Sequence, residues 1–218
     1  MKVMTNLFSS FDPTTGTLSM NWMSMILFMM LPLSMWKINS KINLMINLIN
    51  KFLMKEISLI SKESKVSILF VSMFLLILIN NIMGLLPYVF TATAHLSFSL
   101  SIALTTWLSL MMFGWTKKTN QMFKHLVPTG TPTLLIPLMI IIETISNMIR
   151  PLALSVRLSA NMIAGHLLMT LLGNKLTTKI IIIMFISMTS MLMIFELAVA
   201  MIQSYVFVTL SNLYFSEI

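Results

Sequence analysis

The sequence has no cysteine. That removes disulfides, thiolate metal sites and cysteine nucleophiles together. Charge is scarce as well: 9% of the residues are charged, against 57% hydrophobic, where a soluble domain carries about 25% charged residues. With a mean hydropathy of +0.93, the chain cannot hide its apolar surface from water, and 218 residues leave room for several segments of about 20 residues that span a bilayer. Acidic residues are scarcest, six against 14 Lys and Arg, for a net charge of +8. Most of the Lys lie between hydrophobic runs, which fits retention on the inner side of a membrane, and no basic stripe interleaved with aromatics suggests nucleic acid. The three His are scattered without acidic neighbours at ligand spacing, so neither a metal nor a cofactor is expected. The N-terminus, MKVMTNLFSSFDP, has neither the apolar core of a signal peptide nor the Arg-rich pattern of a transit peptide. Insertion through the chain's own spans is expected.

What is present is a series of long apolar segments. Residues 13–36 carry no charge and form a first expected span, with Pro32 near its end. Residues 37–65 hold six Lys and two Glu. Within them Ile38, Ile42, Met45, Ile49, Leu53, Ile57 and Ile60 recur at spacings of three and four, which predicts an amphipathic helix over 38–62 lying along the interface. The uncharged stretch from Val66 to Thr116 is long enough for two spans, 66–86 and 95–115, broken at GLLPY, Gly84 to Tyr88. Two apolar segments follow, 134–172 and 177–216, parted by GNKLTTK. At 1.5 Å per residue each would be nearly 60 Å long, about twice the hydrocarbon thickness. Such helices lie strongly tilted, bend at Pro137 and Pro151, or project well outside, and a tilted hairpin buried against other protein is the preferred reading. The fold class is therefore an all-α integral membrane protein in one domain, with about five membrane-embedded helices and one interfacial helix. The basic loops put the N-terminus outside and the C-terminus inside, although Lys175 and Lys179 in the last turn count against that orientation.

Ionisable residues inside the final hairpin mark where the work is done, because a charge at the bilayer centre costs about 2.5 to 3.5 kcal/mol even on the lenient insertion scale. Glu143, Arg150 and Arg157 are spaced by seven and fall near one helix face. Ala153, Ala160, Asn161 and Ala164 continue the Arg157 stripe, and small side chains let another helix approach. His166 points to the opposite face. On the last segment Glu196, Ala200, Gln203 and Phe207 share a face. Arg cannot release its proton, whereas His and Glu exchange theirs, so Arg157 is a fixed barrier and His166 and Glu196 are titratable carriers. Blander readings stand beside these. Arg150 before Pro151 reads equally as a snorkelling anchor, Glu143 as its ion-pair partner, Arg157 as a structural partner of Glu196, and His95 as an interfacial histidine.

LALSVRLSANMIAGHLL (Leu152 to Leu168), IETISNMIRP (Ile142 to Pro151) and FELAVAMIQSYVF (Phe195 to Phe207) together closely resemble subunit a of the F-type ATP synthase in its animal mitochondrial form. NNIMGLLPYVFTATAHL and HLVPTGTP also match, so the resemblance covers nearly the whole chain and is least distinctive in the first 60 residues. It implies a non-catalytic, multi-pass, organelle-encoded subunit of the mitochondrial inner membrane that conducts protons. The implied partners are the c-ring, the peripheral stalk and other membrane-sector subunits, with lipid around them. Arg157 matches the essential arginine facing the ring carboxylate, His166 and Glu196 groups of the proton path, Asn161 and Gln203 neighbours of the arginine, and Glu143 a group near the inner exit. The implied mechanism uses two offset half-channels: a proton enters from outside, neutralises a ring carboxylate, travels round through lipid and leaves inward. Each charge crossing 100 mV releases about 2.3 kcal/mol. ATP chemistry belongs to other subunits, and no P-loop is present here. Two rival classes fit less well. A secondary transporter is expected to show two related halves, which are not found, and a purely structural subunit has no need of Arg157, His166 and Glu196.

Overall fold

The computed structural model describes residues 7–14, 19–30, 41–61, 64–86, 89–127, 132–174 and 179–217. Among these it is all-helical, with α1 (Lys41–Ser61), α2 (Ser64–Gly84), α3 (Leu96–Lys117), α4 (Thr119–Leu126), α5 (Ile136–Asn174) and α6 (Lys179–Glu217), joined by short 3-10 turns. Four helices, α2, α3, α5 and α6, contain stretches long and apolar enough to cross a membrane. With α1 and the hairpin they give the all-α integral membrane fold read from the sequence. The segment 13–36 lies partly outside the described residues; its described part includes an 11-residue 3-10 helix, Met20–Met30. A short helix, α4, occupies the basic stretch after α3.

Helix α2 is the centre of the bundle. Its apolar stretch is 44% buried, against 6% for that of α6, because α2 packs on both α1 and α6. Phe70, Phe74 and Ile77 of α2 meet Leu53 and Ile57 of α1, Leu154 and Leu158 of α5, and Phe207 and Phe215 of α6. The Phe215 ring lies 6.4 Å from that of Phe70 and 5.9 Å from that of Phe113 on α3. Lipid tails are as apolar as these side chains, so helix association here depends on close packing and hydrogen bonds rather than on water exclusion. Small polar residues supply both: Ser67, Ser99, Ser155 and Ser204 are fully buried, and Ser155 and Ser204 donate to carbonyls of their own helices. Helix α6 is also tied to α1 by a hydrogen bond from Asn212 Nδ2 to the Ile57 carbonyl at 3.1 Å. Such interhelical bonds contribute about 0.6 to 1.7 kcal/mol in membranes.

The amphipathic helix α1 has two apolar faces. Leu53 and Ile57 are buried in the protein, while Leu44, Leu48, Phe52 and Leu59, at spacings of four and seven, stay exposed. Fixed between α2, α6 and the outside, it is a packed element of the bundle with a second apolar face turned outward.

Helices α5 and α6 have 39 residues each, about 58 Å at the helical rise. They run antiparallel, with Gly165 meeting Glu196, Arg157 meeting Gln203 and Arg150 meeting Tyr214. Pro151 lies inside α5, which continues through it. A proline in a helix interior deprives the carbonyl four residues earlier, here that of Asn147, of its helical partner.

Candidate functional site

The face of α5 that carries Arg157 is turned away from the bundle. Ala153, Val156, Arg157, Ala160, Asn161 and Ala164 are exposed, while Leu154, Ser155, Leu158, Ser159 and Met162 on the other side of the same turns are buried. A single guanidinium thus stands among side chains too small to cover it. The helix is fixed at this point by Gln203, whose Nε2 donates to the Arg157 carbonyl at 3.1 Å. Gln203 is buried and its Oε1 has no protein partner. Among the described residues Arg157 forms no ion pair, so the structural pairing with Glu196 is absent.

His166, nine residues further along, lies half a turn away, since nine steps of about 100° bring a helical residue to the opposite face. It lines a cavity of about 580 Å³ together with Glu196, Asp12, Asn21 and Thr91. His166 Nε2, Thr91 Oγ1 and both Glu196 carboxylate oxygens are buried there without a protein partner. The His166 ring is also within hydrogen-bonding reach of the Gly84 backbone. Leaving one buried polar atom unsatisfied costs about 1 to 3 kcal/mol. Four such atoms gather around this otherwise largely apolar cavity, which is large enough to hold water.

Gly165 makes room for the carboxylate. A Cβ built on it would stand 2.8 Å from both the Glu196 carboxyl carbon and its Oε1, too close for any real contact. Gly84 is less tight, with a built Cβ 3.3 Å from Thr91 Cγ2 and 3.4 Å from Met162 Cε. These two glycines let the end of α2, the segment before α3, and the two hairpin helices converge around the cavity.

A second, smaller cavity of about 70 Å³ lies toward the other end of the hairpin, lined by Glu143, Arg150, Asn147, His125, Trp107 and Tyr214 among others. Its charges are paired. Arg150 Nη2 is 3.7 Å from Glu143 Oε1, and the guanidinium carbon lies 4.7 Å over the Tyr214 ring, a cation–π contact. Arg150 is therefore held between α5 and α6 beside an unbroken helix.

His95 packs against aromatic rings, 5.1 Å from Trp22 and 5.1 Å from Phe90. The structure brings His166 and Glu196 together, joins Gln203 to the Arg157 main chain and sets Asn161 on the Arg157 face; it keeps Glu143 at the other cavity. Sequence reasoning missed Gly165 as the space for the carboxylate, Tyr214 as the partner of Arg150, and Asp12, Asn21 and Thr91 as cavity lining. For Gly165 a signal existed in the glycine directly before His166. Nothing in the pattern singled out Tyr214.

The sequence profile of the ATP synthase A chain family matches residues 15–216. The chain is 51% identical over 225 residues to an ATP synthase subunit a of Locusta migratoria, covering 99% of this chain and 100% of that relative. It is 51% identical over 223 residues to the subunit of that name in Drosophila melanogaster and 50% identical over 225 residues to that in Anopheles quadrimaculatus, again with 99% and 100% covered.

Proposed function

Because the chain belongs to the ATP synthase A chain family, and so is a non-catalytic, proton-translocating subunit of the synthase membrane sector, we propose that its two α5 faces divide that work. Arg157 faces a ring of c subunits, and the His166–Glu196 cavity is the entry half-channel. The inner-membrane location and the partnership with the c-ring and the peripheral stalk belong to the same reading.

The observation that carries it is the opposition of the two faces. An exposed, unpaired arginine among Ala153, Ala160 and Ala164 supports docking of a partner helix that brings its own carboxylate, since a lone charge facing lipid is costly. Half a turn away, His166 and Glu196 share a cavity into which they bring polar atoms without a partner among the described residues. A proton entering there passes between water, the imidazole and the carboxylate, each of which both accepts and donates. It then reaches a ring carboxylate next to Arg157 and neutralises it, freeing that ring subunit to move into lipid. The arginine holds its proton throughout, so it attracts the arriving ring carboxylate and prevents direct passage between the two sides. Asn161 stands one turn from Arg157 on the ring face, and Gln203 keeps the Arg157 turn in register with α6. After a circuit of the ring the proton leaves by the inner side, where Glu143, Arg150 and the small cavity lie. The turn between α5 and α6 is then outside and the C-terminal end of α6 inside.

The test is proton flux through the assembled membrane sector in vesicles, with and without the ring. Flux that requires the ring, and that stops in Glu196→Gln with the complex assembled, supports the reading. Undiminished flux in that variant overturns the path.

A further inference from the structure

The chain has one acidic residue before Glu56, namely Asp12. In the folded chain it lies at the edge of the large cavity, exposed, whereas His166 and Glu196 line the same cavity from partly buried positions. Three features hold it there. Pro13 restricts the Asp12 backbone to extended conformations. The Asp12 carbonyl accepts a hydrogen bond from Asn21 Nδ2 at 3.2 Å, closing the segment into a loop. Phe11 meets the His166 ring edge-on, with centroids 6.1 Å apart, which seats the segment against α5. The titratable groups on the cavity lining are Asp12, His166 and Glu196; α2, the segment at 89–91 and Asn21 contribute none, and His95 lies behind Phe90.

We propose that Asp12 is the proton-collecting group of this cavity, an exposed carboxylate at its mouth that takes protons from the aqueous phase and passes them inward to His166 and Glu196. The proposal rests on the reading of the cavity as the entry path. Its physical basis is scarcity. One group capturing free protons at a diffusion limit of about 10¹⁰ M⁻¹ s⁻¹ receives about 10³ per second at neutral pH, and about ten times fewer for each pH unit above it. A negative charge at the mouth of a low-dielectric cleft concentrates cations there and raises capture by about tenfold or more. In a chain with a net charge of +8, a carboxylate at this position offsets a field that otherwise repels protons. The transfer is simple: a hydronium ion or a buffer acid gives its proton to the Asp12 carboxylate, which gives it to cavity water and returns to its charged form.

The test uses the assembled synthase in membrane vesicles with the proton-entry side outward, measuring proton-driven ATP synthesis against outer pH at low and high concentrations of a mobile buffer such as imidazole. Asp12→Asn keeps the main-chain bond to Asn21. It should lower synthesis about three- to tenfold in weak buffer, more so as outer pH rises, with recovery in strong buffer, and Asp12→Glu should match the parent protein. A loss of the same size at every pH and buffer strength would mark a structural role and overturn the proposal, as would no loss under any condition. Glu196→Gln, measured in parallel, separates the two readings. If it is inactive while Asp12→Asn is normal, the cavity conducts and Asp12 does not collect. If it is fully active, the cavity is not the path, and the collecting role falls with it.

Discussion

Nine residues apart on one helix, Arg157 and His166 occupy opposite surroundings. Arg157 stands on an exposed face of small side chains with no ion pair among the described residues, whereas His166 looks into a cavity it shares with Glu196. On the proposed reading, the charge that never leaves its side chain stands where a partner can come to it, and the groups that exchange protons stand where water can reach them. The two cavities repeat the contrast. The larger is lined by polar atoms without partners, while in the smaller Glu143 and Arg150 pair with each other and Arg150 also covers Tyr214. One cavity holds buried polar atoms without partners among the described residues, the other an ion pair beside an aromatic ring.

Removing the charge from the first face breaks the comparison most completely. Arg157→Ala is expected to abolish proton-driven ATP synthesis in assembled complexes and to open a passive proton leak at the ring site. Arg157→Lys should fail or be severely impaired, because an ammonium lacks the planar fork and gives up its proton readily on burial. Both are read as synthesis and passive flux, normalised to assembled complex. On the second face, Glu196→Gln keeps shape but cannot relay a proton. Transport should fall about a hundredfold, the low end of what a positioned proton-transfer group contributes, with assembly unchanged by native electrophoresis.

Gly165→Ala sharpens the comparison without touching an ionisable group. The new methyl takes the space of the Glu196 carboxyl. That carboxyl is the far end of a flexible side chain, so it moves and the helices do not separate. A misplacement of about 1 Å costs up to about a hundredfold in rate; a loss of about tenfold in proton flux at unaltered thermal stability is the expected outcome. Glu143→Gln should have the smallest effect. The pair with Arg150 is partly exposed and contributes about 1 kcal/mol or less, so flux should drop by no more than about fivefold. A complete block there would make the inner cavity as important as the outer one and erase the distinction drawn between them.

Much of this was legible in the sequence because membrane insertion makes both length and charge informative. The 51 uncharged residues from Val66 to Thr116 contain all but the last residue of α3 and all but the first two of α2, because a backbone without water must satisfy itself in helices. The last two segments were too long to stand upright, and each is a continuous helix of 39 residues. The opposite placement of Arg157 and His166 followed from helical periodicity alone. What periodicity cannot supply is depth and register between helices. The sequence put Glu196 on a face with Gln203, but only the packing of α6 on α5 brings its carboxyl to Gly165 and leaves Gln203 to bond the Arg157 carbonyl. A bend at Pro151 is one of the arrangements open to so long a segment, and α5 is helical on both sides of that proline. Asp12 carried no pattern at all. Its place at the cavity depends on a loop closed by Asn21, and local contacts of that kind leave no periodic trace.

The absence of native cysteine makes the two-face account directly measurable, because any cysteine introduced into this chain is its only one. Single cysteines at Ala160 and Ala164 on one face, and at Thr170 and Met193 on the cavity, would be exposed in assembled complexes to a membrane-impermeant thiol reagent and to oxidative crosslinking with cysteines on ring helices. The account predicts that positions 160 and 164 crosslink to the ring and resist the aqueous reagent, while 170 and 193 react with the reagent from the proton-entry side and do not crosslink. The reverse pattern, or equal behaviour of all four, would contradict it.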